Sequence, residues 1–142
     1  YAELMGTIRW FKPEVQKLIF QRVRQLAEEI SAAMGCTAEV EIKDLTPALI
    51  NDGAVTTRVQ QLLQKTLPEL QIESSYQTMG SEDMAFFMNA VPGCFLLIGS
   101  KNIDKESSYP HHHPKFDIDE RAMSVAATVI CAAVFDGLSA ST

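Results

Sequence analysis

The chain is poor in cysteine, histidine and basic charge, and each shortage narrows what it does. Its three cysteines, Cys36, Cys94 and Cys131, are odd in number, far apart and form no CxxC pair. That pattern excludes a disulfide framework and fits reduced, partly buried thiols of a cytoplasmic protein. Lys and Arg total 12 against 18 Asp and Glu, a net charge of −6. An acidic balance disfavours nucleic acid as a partner and gives no attraction to an acidic membrane surface. No apolar run approaches the ~20 residues of a membrane span. The greasiest segment, Ala122 to Leu138, is interrupted by Ser124, Thr128 and Asp136. No signal peptide, internal repeat or low-complexity tract is recognisable. The first residue is Tyr1, in what reads as the middle of a strand, so the chain is expected to be a piece of something longer.

What is present is ordinary globular material. The 142 residues are 46% apolar and 21% charged, enough for one domain or for pieces of two. Residues 2–11 alternate loosely around Ile8, Trp10 and Phe11 and predict a strand. Pro13 suits the first turn of a helix. Val15, Leu18, Ile19, Leu26, Ile30 and Ala33 then recur at helical spacing up to Gly35, a stop signal. Residues 37–45 put Ala38, Val40 and Ile42 on one side and Glu39, Glu41 and Lys43 on the other, a strand with one wet face. Strand, helix, strand is too little sheet to stand alone, so further strands are expected upstream. A turn-rich stretch, TPALINDG, marks a boundary.

Beyond it, residues 54–66 predict a helix with Val55, Val59, Leu62 and Leu63 inward, ended by Pro68. A short strand is expected at 70–76. Ser81 is placed to cap a short helix with Glu82 and Asp83 in its first turn. The apolar run 94–99, CFLLIG, fits a strand covered on both faces. Asp117 and Glu120 form a capping-box pattern. They open a long helix to about Phe135 with Ala122, Val125, Ala126, Val129, Ile130 and Ala133 inward.

Three groups of residues carry candidate chemistry. All three histidines stand together in Tyr109-Pro110-His111-His112-His113-Pro114. In an extended segment neighbours point to opposite sides, so three in a row cannot reach one ion. The open readings are a metal site using one of them, a tag, and a solvated loop; three internal histidines are few for a tag. Imidazole is a common ligand for zinc and related metals, and the flanking prolines restrict the backbone. The second group is Gly80-Ser81-Glu82-Asp83, read either as plain helix capping or as an anion or acid–base site. The third is Arg9, which either grips a carboxylate or is simply solvated. The residues 84–88, MAFFM, are most simply core.

Taken in order, GTIRWF (6–11), the helix after Pro13, PALIND (47–52), MGSEDMAFF (79–87), VPGCFLLIG (91–99) and YPHHHPKFDIDERA (109–122) give a specific likeness. The chain resembles the metal-dependent amidohydrolases of the aminoacylase and carboxypeptidase superfamily, in the branch of hippurate hydrolases and auxin-conjugate hydrolases. The resemblance covers essentially the whole chain and rests on six motifs in order rather than on one decisive motif.

It implies an α/β fold. Residues 1–46 would be the second half of an inserted α+β lid that also mediates homodimerisation. Residues 47–142 would be the C-terminal part of a metallopeptidase-like αβα catalytic domain. The implied substrate is a small N-acyl amino acid. The implied cofactor is a pair of divalent metals, drawn from Zn, Mn, Ni or Co, and neither nucleic acid nor membrane is an implied partner. The family motif of tyrosine, proline, any residue, histidine, any residue, proline, basic, phenylalanine, aspartate selects His112 as one metal ligand, with His111 and His113 at variable positions. Gly80, Ser81, Glu82 and Asp83 match a motif at the edge of the substrate site, and Arg9 stands where related carboxypeptidases have a lid arginine for the substrate carboxylate.

Two departures matter. The family's other ligands and its general base, in a histidine- and cysteine-rich motif and a glutamate pair, belong upstream and are absent here. The isolated chain is therefore expected to be inactive, with no catalytic residue of its own. Lys12 stands where an aspartate usually precedes Pro13, which weakens that cap by ~1 kcal/mol. The alternative reading is a non-catalytic interaction or dimerisation module that pairs through an open sheet edge at 1–45.

Overall fold

The computed structural model of the chain describes residues 1–105 and 107–139. Among these residues are four helices, α1 (Pro13–Ala33), α2 (Gly53–Thr66), α3 (Met84–Ala90) and α4 (Arg121–Ser139). They fall into two compact units, Tyr1–Ile50 with Ser75–Val91, and Asn51–Ser74 with Pro92–Thr142.

In the first unit, α1 starts and stops as its sequence dictates. Lys12 is the N-cap and makes no side-chain cap bond, so Pro13 alone sets the entry. At the other end Gly35 takes φ +71°. Its N–H donates to the Ala32 carbonyl at 3.0 Å and the Cys36 N–H to the Ser31 carbonyl at 2.8 Å. These two bonds satisfy the last carbonyls of the helix, and only a glycine takes that turn freely. The helix is tied to residues 40–44. Arg24 donates to the Val40 carbonyl at 2.9 Å and Gln16 to the Asp44 carboxylate at 2.9 Å. Trp10 meets Phe20 edge-on at 5.7 Å.

Several predicted elements are corrected here. Residues 2–11, 37–45, 70–76 and 94–99 form no strand; among the described residues the backbone pairing is one isolated bridge, Asn102 with Ser107. A strand needs a neighbouring strand for its N–H and C=O groups, and among the described residues no ladder forms along these segments. Alternation still governs 38–43, where Ala38, Val40 and Ile42 are half-buried and Glu39, Glu41 and Lys43 exposed. The run at 94–99 is not covered on both faces, since Leu96 and Leu97 are exposed. On α1, Leu18, Leu26 and Ile30 are exposed rather than inward. So are Phe86 and Phe87 of α3, with Ala85 alone fully buried there. The apolar periodicity is intact, but little within the unit covers it.

The second unit holds the better core. Asp52 caps α2, its carboxylate accepting the Val55 N–H at 2.9 Å. Leu63 is buried on α2 and Val129 on α4. Arg58, in the first half of α2, pairs with Asp136 in the last turns of α4 at 2.6 Å. Leu67 and Leu70, past the end of α2, share a shallow groove with Ser124, Val125 and Thr128 at the start of α4. The two helices therefore run antiparallel. Ile130, expected inward, is exposed.

By length and composition α4 alone among the described helices suffices to cross a membrane. Its Asp136 is nevertheless ion-paired to α2, and its Ser124 and Thr128 hydroxyls are returned to carbonyls of the first turns. The expectation that no apolar run approaches the length of a membrane span is corrected to that extent, because a helix carries α4 through the polar interruptions at Ser124, Thr128 and Asp136.

Within the second unit, a side chain joins residue 51 to residue 95. The Asn51 carboxamide donates to the Phe95 carbonyl at 3.0 Å and accepts the Phe95 N–H at 2.9 Å. An amide group thus stands in for one rung of a ladder. The Asp52 N–H donates to the Gly93 carbonyl at 2.9 Å beside it.

Candidate functional site

The histidine segment is not extended. The His113 N–H donates to the Pro110 carbonyl at 3.1 Å, and the Phe116 N–H to the His113 carbonyl at 2.9 Å. Two tight turns follow one another, and Pro114 occupies the second position of the latter, where its fixed φ is favoured. His112 falls at the third position of the first turn and takes φ +68°. This left-handed conformation is the one a type II turn demands there. A non-glycine residue in it carries strain, although histidine tolerates it better than most.

Two successive turns separate the three rings. His113 stacks on Tyr109, ring centres 4.4 Å apart, while the Lys115 ammonium lies 5.6 Å from the Tyr109 ring centre. The His113 Nδ1 accepts the Lys115 N–H at 3.1 Å, which leaves Nε2 as the protonated nitrogen of the neutral ring. His111 meets Phe116 edge-on at 4.8 Å. His112 is exposed, at the tip of the turn.

A buried carboxylate closes this segment. Asp119 is 6% exposed. It accepts from Asn102 Nδ2 at 2.6 Å, from Lys105 Nζ at 3.1 Å, and from the Arg121 guanidinium at 2.5 to 3.1 Å. The Arg121 N–H also reaches it at 3.2 Å, and its own N–H donates to the Ser100 carbonyl at 2.9 Å. The Arg121 bonds first, then that from Asn102, hold the Asp119 carboxyl far below the usual carboxylate range. The bonds to Asp119 raise Lys105 and Arg121, while Glu120 is lowered by its own backbone N–H and then by Lys105. The expected capping box of Asp117 and Glu120 is not formed. Asp117 accepts the adjacent Ile118 N–H, and Asp119 serves the first turn of α4 instead.

The other candidates lie in the first unit. Gly80, Ser81 and Glu82 are exposed and directly precede α3. Ser81 does not cap that helix. The N-cap is Asp83, without a side-chain bond, and the turn opens with the Ala85 N–H on the Glu82 carbonyl at 3.1 Å. Arg9 is exposed on the segment before α1. The three cysteines are free, and Cys94 alone is partly buried; Cys36 and Cys131 are exposed, not the partly buried thiols expected. Sequence reasoning missed the Asp119 group and Asn51. The first had a signal, an aspartate two residues before an arginine at the start of a helical pattern. The second had none, because its partner lies more than forty residues away.

These residues do not by themselves compose a metal centre. Zinc takes three or four protein donors, and among the described residues no three His, Cys, Asp or Glu side chains converge. His112 offers one imidazole.

Residues 6–136 match the profile of Peptidase family M20/M25/M40. Among curated relatives, a putative amidohydrolase, YhaA, of Bacillus subtilis is 33% identical over 93% of this chain and 33% of its own length. An N-acetyl-L-cysteine deacetylase of the same organism is 34% identical over 86% of this chain and 28% of its own. A thermostable carboxypeptidase of Saccharolobus solfataricus is 30% identical over 89% and 32%. The chain thus spans about a third of the length of the curated relatives it matches. The crystal structure of a Bacillus subtilis protein described as a dinuclear metal binding peptidase from the M20 family superposes with a TM-score of 0.73. It is 27% identical and covers 87% of this chain and 33% of its own. The shared backbone is that of an α/β metallopeptidase fold, and with the family model matching across residues 6–136, the chain belongs to peptidase family M20/M25/M40.

Proposed function

We propose that this chain is the C-terminal part of a metal-dependent amidohydrolase that cleaves the amide bond of small N-acyl amino acids. The observation that carries the reading is the family match over residues 6–136, taken with relatives named as amidohydrolase and deacetylase. In this reading residues 1–46 belong to a lid through which two subunits pair, and residues 47–142 to the metal-bearing domain. Two divalent metals complete the site, with most donors and the general base supplied by the rest of the protein. His112 contributes one imidazole, presented at a turn tip rather than buried in this chain. Arg9 receives the substrate carboxylate, and Gly80, Ser81 and Glu82 edge the pocket. No catalytic step is assigned to the chain's own residues, because one exposed imidazole neither holds a closed metal site nor supplies a base.

The test compares two preparations with manganese or zinc added. The full-length protein is expected to release the free amino acid from an N-acyl amino acid. The isolated 142-residue chain is expected to give no turnover. In the full-length protein His112→Asn removes the imidazole but keeps a residue that accepts a left-handed turn. It is expected to cost more than the ~100-fold that losing a supporting partner costs. Turnover by the isolated chain that disappears on His112→Ala contradicts the proposal.

A further inference from the structure

We infer that Asp119 is the positioning residue for the loop that presents His112, and this rests on the amidohydrolase reading given above. The loop leaves the body of the second unit at Ser100 and returns at Asp119, where the Asp119 N–H meets the Ser100 carbonyl at 2.9 Å. The carboxylate of Asp119 then reaches back to the outgoing limb. It takes one hydrogen bond from Asn102 at 2.6 Å and one from Lys105 at 3.1 Å.

Asn102 is built to transmit that hold. Its side-chain oxygen accepts the N–H groups of Asp104 and Lys105 at 3.0 and 3.3 Å, and its backbone pairs with Ser107, which is 3% exposed. Asn102 thus organises the outgoing turn and delivers its amide to the incoming carboxylate. Arg121 grips the same carboxylate from the first turn of α4, so the clasp is anchored to a long helix rather than to another loop.

Past this clasp, the bonds and ring contacts among the described residues 108–116 are local. The two tight turns at 110–113 and 113–116, the Tyr109–His113 stack and the His111–Phe116 contact join residues of the loop to one another. Such contacts give the tip a shape but do not aim it. Aim comes from where the two limbs are fixed, and both are fixed at Asp119. Because the limbs meet there, a small change at the base is magnified at the tip, and misplacement of a reacting group by about 1 Å costs as much as ~100-fold in rate.

The experiment uses the full-length protein with Asp119→Ala, Asp119→Asn and Asn102→Ala, and Asp136→Asn as the control. The control breaks the Arg58–Asp136 ion pair, far along α4 from the loop. Two readouts are taken at a temperature where circular dichroism finds every variant fully folded. One is tryptic cleavage after Lys105 and Lys115, the two lysines of the loop beyond Asn102. The other is kcat and KM for an N-acyl amino acid.

Asp119→Ala is expected to speed cleavage at these two sites about tenfold, as local opening does. It should lower kcat about tenfold or more with KM within about twofold, as loss of aim does. Asp119→Asn, which keeps an acceptor, should recover part of both. Asp136→Asn should move neither. Should Asp119→Ala not fold, Asn102→Ala carries the test with the same expectations.

Faster loop cleavage with unchanged kcat overturns the inference, leaving a clasp that only stabilises. Unchanged cleavage and unchanged kcat overturn it as well. A wild-type protein that hydrolyses no N-acyl amino acid overturns the amidohydrolase reading instead, while the cleavage readout still decides whether Asp119 fixes the loop.

Discussion

Asp119 is a carboxylate out of water beside two cations and an amide, and its behaviour in acid follows from that. Its folded-state carboxyl lies well below the usual range because the charged form receives the Arg121, Asn102 and Lys105 bonds. A depressed carboxyl stabilises the fold above its unfolded value, about pH 4. That contribution is lost as the pH falls through the lower folded value. Asp119→Asn has no such charge to lose. The melting temperature of the wild type should therefore exceed that of the variant near neutral pH, and the gap should narrow as pH drops from about 5 toward 2.5. Thermal melts of the full-length protein at stepped pH measure it, and a gap constant across that range assigns the acid sensitivity elsewhere. His112 is the complementary case at the same scale. Its backbone sits at φ +68°, a left-handed conformation that carries strain for a residue with a side chain.

Among elements, the helices and the would-be strands behave oppositely. Pro13, Gly35, Asp52 and Pro68 bound α1 and α2 through bonds closed within a few residues, and the boundaries follow the sequence closely. The segments 37–45 and 94–99 have strand composition but need a neighbour that no nearby residue supplies. Asn51 substitutes for one rung beside Phe95, with both of its amide groups used. Asn51→Ala strands a partly buried N–H and C=O together and should cost ~1–3 kcal/mol. Asp52→Ala removes one cap bond and should cost ~1 kcal/mol. Chemical denaturation of the two variants gives the comparison. Equal losses would mean that water replaces the Asn51 bonds freely. The start of α4 shows why caps are harder to read than periods. Asp117 and Asp119 both fit the sequence, and the contact with Asn102 and Lys105 selects Asp119.

At the scale of the whole molecule the prominent feature is apolar surface left in water. On α4, Ile130, Val134, Phe135 and Leu138 are all more than half exposed. A contiguous face of this kind is covered in a stable protein, and the chain spans about a third of the length of its relatives. The isolated chain should therefore bind a hydrophobic dye such as ANS strongly and self-associate with rising concentration. The full-length protein should do neither. Dye fluorescence and sedimentation of both decide it, and a monomeric chain that leaves the dye dark would mean that α4 is covered from within.

The amino-acid sequence by itself determined the helices, their stops and the family. Each depends on residue types at short spacing or on motifs in linear order, and neither needs a partner far away. It also singled out His112 among three adjacent histidines, through the resemblance rather than through geometry. Tertiary structure alone decided the rest. It bent the histidine segment into two turns, moved the cap of α4 from Asp117 to Asp119, and joined Asn51 to Phe95. It also left 94–99 without a ladder. The two turns close within four residues each, and the other three share one physical reason. A hydrogen bond between residues far apart in the chain depends on where folding brings them, and a hydrophobic pattern records only that a face wants cover, not what covers it.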